Sequence, residues 1–589
     1  MKDFGKTLLA VICGILIVQL LGVIFFLISI GSMAAAGSST VLPREGVLDI
    51  NMKDISLVEQ AQEQMPAFSP SGVEMKAPVG IWDAVCALKT AASDPGVKYV
   101  LLRADELAAG ISTTEEFRLA LSDFRKSGKS VVAYTENPGN GSLYLASVAD
   151  KIYMSSYHGG NPTFIGVSGR MIFLKDLFDK LGVNYQLIRH GKFKSAGEMY
   201  IKNAPSEENR LQNKAMIDGI WKTLSGTIAE ARGIPVETLN ELVDNLKLNF
   251  PEDFLQAGLV DELLDHEGIV SKLCMLAQVE KADDLHLIPF ADYVEAKKVP
   301  KISKANVAIL FADGSIVDGD QPEEIAADRF VKEIDKIRKD ESVKSVVLRV
   351  NSPGGSVVAS EKIRTALNLL MAEKPLVASY GNYAASGGYW ISNGCQKIFS
   401  DATTLTGSIG VFSLIPEFSA LSKKVGVNMV SVPSNRHSDM YSLTRPFDKT
   451  ETEVMQNYIE DIYGSFIKIV SEGRDIPVEK VDEIAQGRVW VGSDALGINL
   501  VDQIGSLTDA VNEAASFAGF VSEDDYAVLS YPKPLTVLEQ IMQALGKSNE
   551  APSILAGTPF EAIGRAIETL REDQPSGAYA QLPYSIEIK

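Results

Sequence analysis

Cysteine and histidine are scarce in this chain of 589 residues, with four of the first and five of the second. Cys13, Cys86, Cys274 and Cys395 contain no Cys-x-x-Cys pair, which argues against a zinc ribbon and a disulfide scaffold. No His-Glu-x-x-His run or paired set of metal ligands occurs, so a metallohydrolase is not expected, and neither is a metal or cofactor. Positive charge is short as well. The 56 Lys and Arg against 76 Asp and Glu leave a net charge of −20, the wrong balance for a nucleic-acid partner. Long apolar runs are absent after the first 30 residues, so at most one membrane span is expected. A hydrophobic fraction of 46% nevertheless excludes wholesale disorder.

What is present begins with that single run. Residues 7–30 carry no charge and one amide, Gln19, and 24 residues of helix suffice to cross a bilayer. Lys2 and Lys6 precede the run and no charge follows before Arg44, which places the N-terminus in the cytoplasm and the rest outside. The run exceeds the usual apolar core of a cleaved signal peptide, so residues 1–33 read as an uncleaved anchor in the lipid bilayer.

The soluble part repeats itself. Val97-Lys98-Tyr99-Val100-Leu101-Leu102-Arg103 returns as Val343-Lys344-Ser345-Val346-Val347-Leu348-Arg349, an offset of 246. Ile165-Gly166-Val167 returns as Ile409-Gly410-Val411 at 244, and Ile234-Pro235-Val236-Glu237 as Ile476-Pro477-Val478-Glu479 at 242. Matches in one order with slowly drifting offsets are the mark of a duplication. Within the second copy, residues 307–311, 345–350 and 376–380 read as buried strands. Phe330, Val331, Ile334 and Ile337 recur at helical spacing, as do Ile363, Ala366, Leu367 and Leu370. Strand and helix in alternation predict an α/β fold with a mostly parallel sheet in each copy.

Three short runs carry chemistry. Asn351-Ser352-Pro353-Gly354-Gly355-Ser356 follows a strand and opens a helix, where paired glycines can aim backbone amides at a developing oxyanion. Thr406-Gly407-Ser408-Ile409-Gly410 presents a serine among small and apolar neighbours, expected at the start of a helix. No histidine offers a pattern as its base, which leaves lysine, in Gly191-Lys192-Phe193-Lys194-Ser195-Ala196. A rival serine, Ser386, lies in Ala384-Ala385-Ser386-Gly387-Gly388, close to a nucleophile elbow but without its first glycine. Small residues there read more simply as allowing close helix packing.

Together these runs resemble the signal peptide peptidase A, or protease IV, family of membrane-anchored Ser/Lys peptidases, in its long duplicated form. The resemblance implies tandem α/β repeats like those of Clp protease and crotonase, over residues 44–298 and 299–531, with a tail at 532–589. It implies Ser408 as nucleophile, Lys194 rather than Lys192 as general base, and the amides of Gly354, Gly355 and Ile409 as the oxyanion hole. Ser431 or Ser434 would orient the lysine amine. Signal peptides are the implied substrates, a homotetramer the implied assembly, and the bacterial inner membrane, with the catalytic part outside, the implied location. An acyl-CoA enzyme of crotonase type and an inactive scaffold are the competing readings.

The duplication bears on the same residues independently. Ser408 falls on Phe164 and the glycine pair on Ala108-Ala109 in the first copy, while Lys194 falls on Ser438 in the second. Each copy keeps what the other lost. One dyad per chain is therefore expected, built where the copies meet.

Overall fold

A computed structural model of the chain describes residues 42–62, 76–298, 301, 303–322, 324–534 and 578–581. The expected anchor lies outside them. Among the described residues no helix is long and apolar enough to cross a membrane.

The runs rich in Val, Ile and Leu form parallel strands covered on both faces, which is why they read as continuous rather than alternating. In the first half six strands lie in the order Glu262–Leu264, Lys151–Ser155, Val131–Thr135, Val97–Arg103, Gly46–Asn51 and Leu287–Pro289, all parallel. In the second half the order is Gln503–Ile504, Lys397–Ser400, Leu376–Ala385, Val343–Ser352, Asn306–Asp313 and Ala527–Tyr531, again parallel. Each strand occupies the place of its sequence counterpart, so the duplication is visible in the topology. The long helices Glu207–Arg232 and Lys449–Arg474 correspond in the same way and are both 26 residues long. Phe330, Ile334 and Ile337 are buried on the helix Ala327–Lys339, and Ile363, Leu367 and Leu370 on Val357–Met371.

One element of the second sheet is longer than its counterpart and sets up the site. Leu376–Ala385 pairs with Lys397–Ser400 along its first half and with Leu405–Gly407 along its second. In that second ladder Ala385 stands opposite Gly407, so Ser386 and Ser408 step off adjacent parallel strands at the same level. The Ser386 N–H donates to the Gly407 carbonyl at 2.8 Å.

The halves are fused in two ways. Leu48, Ile50 and Val100 of the first share one hydrophobic cluster with Val347, Val377 and Phe399 of the second. Beside that cluster the guanidinium of Arg349, on Val343–Ser352, is fully buried between two carboxylates of the first half. Nε donates to Glu59 Oε2 at 2.7 Å and Nη1 to Glu116 Oε1 at 2.8 Å. Asp401 lies in the same pocket of charge. Burial, with Glu116 and Glu115 nearby, raises its pKa well above the usual carboxylate range, and its Oδ2 has no partner. Removing the one cation here leaves buried acids uncompensated. Arg349→Met is expected to cost about 3–5 kcal/mol in urea unfolding, and a loss under 1 kcal/mol would contradict the lock.

Candidate active site

Lys194 arrives from the first half just after a strand that belongs to a sheet of the second. Asn184–His190 pairs antiparallel with Val411–Glu417, from Asn184 opposite Glu417 to His190 opposite Val411. The chain then turns at Gly191 (φ +97°), pressed against Gln486, and Phe193 N–H donates to the Gln486 carbonyl at 2.9 Å. That turn points Lys194 inward and leaves Lys192 exposed over the Phe193 ring. Gly487 lies against the lysine backbone, and a Cβ there would sit 2.5 Å from Lys194 Cβ. Gly487→Ala is therefore expected to displace the amine by about an ångström and to lower kcat/KM about 100-fold in a folded protein. Unchanged kinetics would show that the lysine need not sit where it does.

Lys194 is 1% exposed and Ser386 and Ser408 are wholly buried. The amine Nζ lies 2.8 Å from Ser386 Oγ, 3.0 Å from Ser408 Oγ and 3.2 Å from the Ser408 carbonyl. Burial is the cause that lowers its pKa, from the usual 10.5 to about 7, because nothing nearby compensates an ammonium. At neutral pH a large fraction of this amine is therefore the free base. It then has two N–H donors and one lone pair for three neighbours, and the Ser408 carbonyl, which can only accept, takes one of the donors.

The two serines differ in backbone setting. Ser386 adopts φ +56° and ψ −110°, an unfavourable conformation for a side-chain-bearing residue, and turns its strand directly into the helix Gly387–Ser392. Gly387 follows it in contact with the glycine pair: a Cβ on Gly387 would lie 3.0 Å from Gly355 N and 3.1 Å from Gly354 Cα. Gly388 must also be glycine, since its Cβ would meet the Ser352 carbonyl at 2.8 Å. Ser408 also has a positive φ, of 50°, and its amide donates to the Arg488 carbonyl at 2.7 Å, as the Ser386 amide does to Gly407. The expectation that Ser408 opens a helix is overturned. The chain passes from the strand Leu405–Gly407 through Ser408 into the strand Val411–Glu417. The serine that opens a helix is Ser386.

Two further expectations need correction. Ser431 and Ser434 lie on an exposed stretch away from the amine, and the hydroxyls that touch it are those of Ser386 and Ser408. Gly387 packs against Gly354 and Gly355, and the Ile409 carbonyl accepts from Gly487 N at 2.8 Å. Copy one has Asn140 at the Ser386 position, where its amide clamps Gly166. A cavity of about 630 Å³ survives there, lined by Ala108, Ala109 and Gly141. Among the described residues one group could offer three ligands to a metal: His437, Asp448 and Glu451. It is already bridged by Arg445, whose Nη2 lies 2.7 Å from Glu451 Oε1.

A hydroxyl on a strained strand-to-helix turn, with a buried amine beside it and backbone amides before it, is the apparatus of a serine hydrolase. The peptidase family S49 model matches residues 123–280 and 368–520, one segment in each half. Protease 4 of Haemophilus influenzae is 35% identical over 520 residues, covering 84% of this chain and 83% of its own. The chloroplastic serine protease SPPA of Arabidopsis thaliana is 29% identical over 78% of this chain and 68% of its own. A putative signal peptide peptidase SppA of Enterococcus faecium is 36% identical over 36% of this chain and 62% of its own. A mutant ClpP1 chain of Listeria monocytogenes is 14% identical with a TM-score of 0.24, covering 34% of this chain and 94% of that one, too loose to bear on the fold. The chain belongs to peptidase family S49 and is a serine peptidase with a duplicated domain.

Proposed function

We propose that the chain is a membrane-anchored endopeptidase that degrades cleaved signal peptides, with Ser386 as nucleophile and Lys194 as general base. The observation that carries this reading is the buried Lys194 amine, delivered by one half to within 2.8 Å of a strained Ser386 in the other. The nucleophile's role expected of Ser408 thereby passes to Ser386, whose small neighbours were expected only to allow close helix packing. Ser408 becomes the residue that positions the lysine, holding the amine with both its carbonyl and its hydroxyl.

The reaction follows from that arrangement. The neutral lysine takes the Ser386 proton as Oγ attacks a peptide carbonyl. Negative charge collects on the carbonyl oxygen within reach of the Gly387 amide and the Gly354-Gly355 pair. Lys194 then returns the proton to the leaving amine, and water hydrolyses the ester by the same route. No step uses an imidazole or a metal, which agrees with a chain poor in histidine and cysteine.

The substrate and location rest on sequence and on relatives. Residues 7–30 would tether the enzyme with its catalytic part outside the cytoplasm, beside the peptides that export leaves in the bilayer. The E. faecium relative carries the name signal peptide peptidase. A tetramer belongs to the same reading; the exposed apolar Val425, Val427, Met429, Val430 and Val432 offer a surface for contacts between chains. The test is hydrolysis of a synthetic signal peptide by the full chain in detergent, against a polar peptide of equal length. Preferential turnover of the signal peptide is expected, and failure to cleave it would refute the substrate assignment.

A further inference from the structure

Residues 532–589 have no counterpart in the first half, yet part of this tail returns to the catalytic site. Tyr579–Gln581 forms a strand antiparallel to Gly354–Ser356, with Gln581 opposite Gly354, Ala580 opposite Gly355 and Tyr579 opposite Ser356. The Val357 N–H extends the ladder to the Ala578 carbonyl at 3.3 Å. On its other edge the same strand pairs antiparallel with Val411–Glu417, at Phe412 opposite Tyr579. The segment is thus an interior strand of a mixed sheet. Gly354–Ser356, Ile316–Val317 and Ile325–Ala326 lie on one side, and the Val411–Glu417 and Asn184–His190 pair on the other.

The position matters because the neighbours are the catalytic elements themselves. Gly354 and Gly355 are the glycines that face Gly387, and Val411–Glu417 begins three residues after Ser408. An extended peptide that places its carbonyl before Ser386 gains most by adding as a strand to this glycine edge. That edge is already filled. With the segment in place Ser386 has no exposed surface, although its hydroxyl must meet a substrate.

We propose that residues 578–581 are a built-in competitor, holding the backbone-binding slot of the active site until a substrate strand displaces them. The inference rests on the reading of Ser386 as nucleophile and names the slot through which that site takes its substrate: an extended backbone, bonded on two edges. Three paired residues make a weak strand, but covalent attachment keeps its local concentration in the millimolar range when a linker spans the distance. A weak ligand then suffices to occupy the slot, and a longer substrate strand suffices to empty it.

The experiment compares the full chain, a chain ending at Gly577, and the point variant Ala580→Pro, which removes one N–H from the competing strand. For a peptide substrate, KM is expected to fall about tenfold in both variants, with kcat within a factor of two. A synthetic peptide of residues 576–583 is expected to inhibit the shortened enzyme competitively. Equal KM in all three proteins, or inhibition that is not competitive, would overturn the proposal. Amide exchange at Gly355, Ser356 and Val357 reads occupancy without catalysis, and faster exchange is expected once the tail is removed. An inactive full chain whose exchange still responds would fault the assigned chemistry, whereas an active chain whose exchange and KM do not respond would fault the competitor.

Discussion

Ser386→Ala is expected to abolish peptide hydrolysis, by roughly four to six orders of magnitude, while Ser408→Ala is expected to leave a slower enzyme. The asymmetry follows from what each hydroxyl touches. Ser386 stands on the strained turn that opens the helix Gly387–Ser392, beside the Gly354-Gly355 pair. Ser408 holds the lysine with Oγ and carbonyl. Losing one hydrogen bond to the amine is worth about 1.5–3 kcal/mol, or roughly 10- to 150-fold in rate. The same assignment predicts where a fluorophosphonate attaches: the labelled peptide contains Ser386. A stable adduct on Ser408, or full activity in Ser386→Ala, would return the nucleophile's role to Ser408. A shifted pH inflection in Ser408→Ala would mark it as the residue that positions the base.

Lys194 supplies the second large effect, and it has two readouts of known sign. Activity requires the free amine, so kcat/KM is expected to rise with pH through about 7, where burial has brought this group from 10.5. Lys194→Ala removes the base and lowers kcat/KM by about a thousandfold or more. Stability moves the other way. Between the folded value near 7 and the unfolded value near 10.5, the unfolded chain holds a proton that the folded chain does not. Folding is therefore penalised at neutral pH, and stability contributed by this group rises as pH rises through that window. Lys194→Met, which keeps the buried stem and removes the amine, is expected to melt higher than wild type at pH 7. The gap should narrow toward pH 10. Equal melting temperatures at pH 7 would mean that the lysine is not buried without a counter-charge.

The duplication and the parallel sheets were legible in the sequence because repeats and continuous apolar runs are local signals. The meeting of Lys194 with a serine of the other half was legible through the offsets, since each copy carries a gap that the other fills. The choice between serines was not. In Ala384-Ala385-Ser386-Gly387-Gly388 the elbow lacks its first glycine, and the backbone strain that marks Ser386 appears only when the chain is folded. Ser408, set among small and apolar neighbours, was the candidate implied by the family resemblance. Those neighbours instead let Gly410 pack against Gly487 and the lysine stem. The return of Tyr579–Gln581 left no sequence signal, because strand addition is made by backbone and asks little of side chains.

The split of the site between halves also orders its birth. Lys194 is made first; Ser386 and Ser408 follow 192 and 214 residues later. The turn at Gln486, Gly487 and Arg488, which seats the lysine and fixes the Ser408 amide, comes later still. On the proposed assignment, a nascent chain that stops short of residue 386 carries the base without its nucleophile.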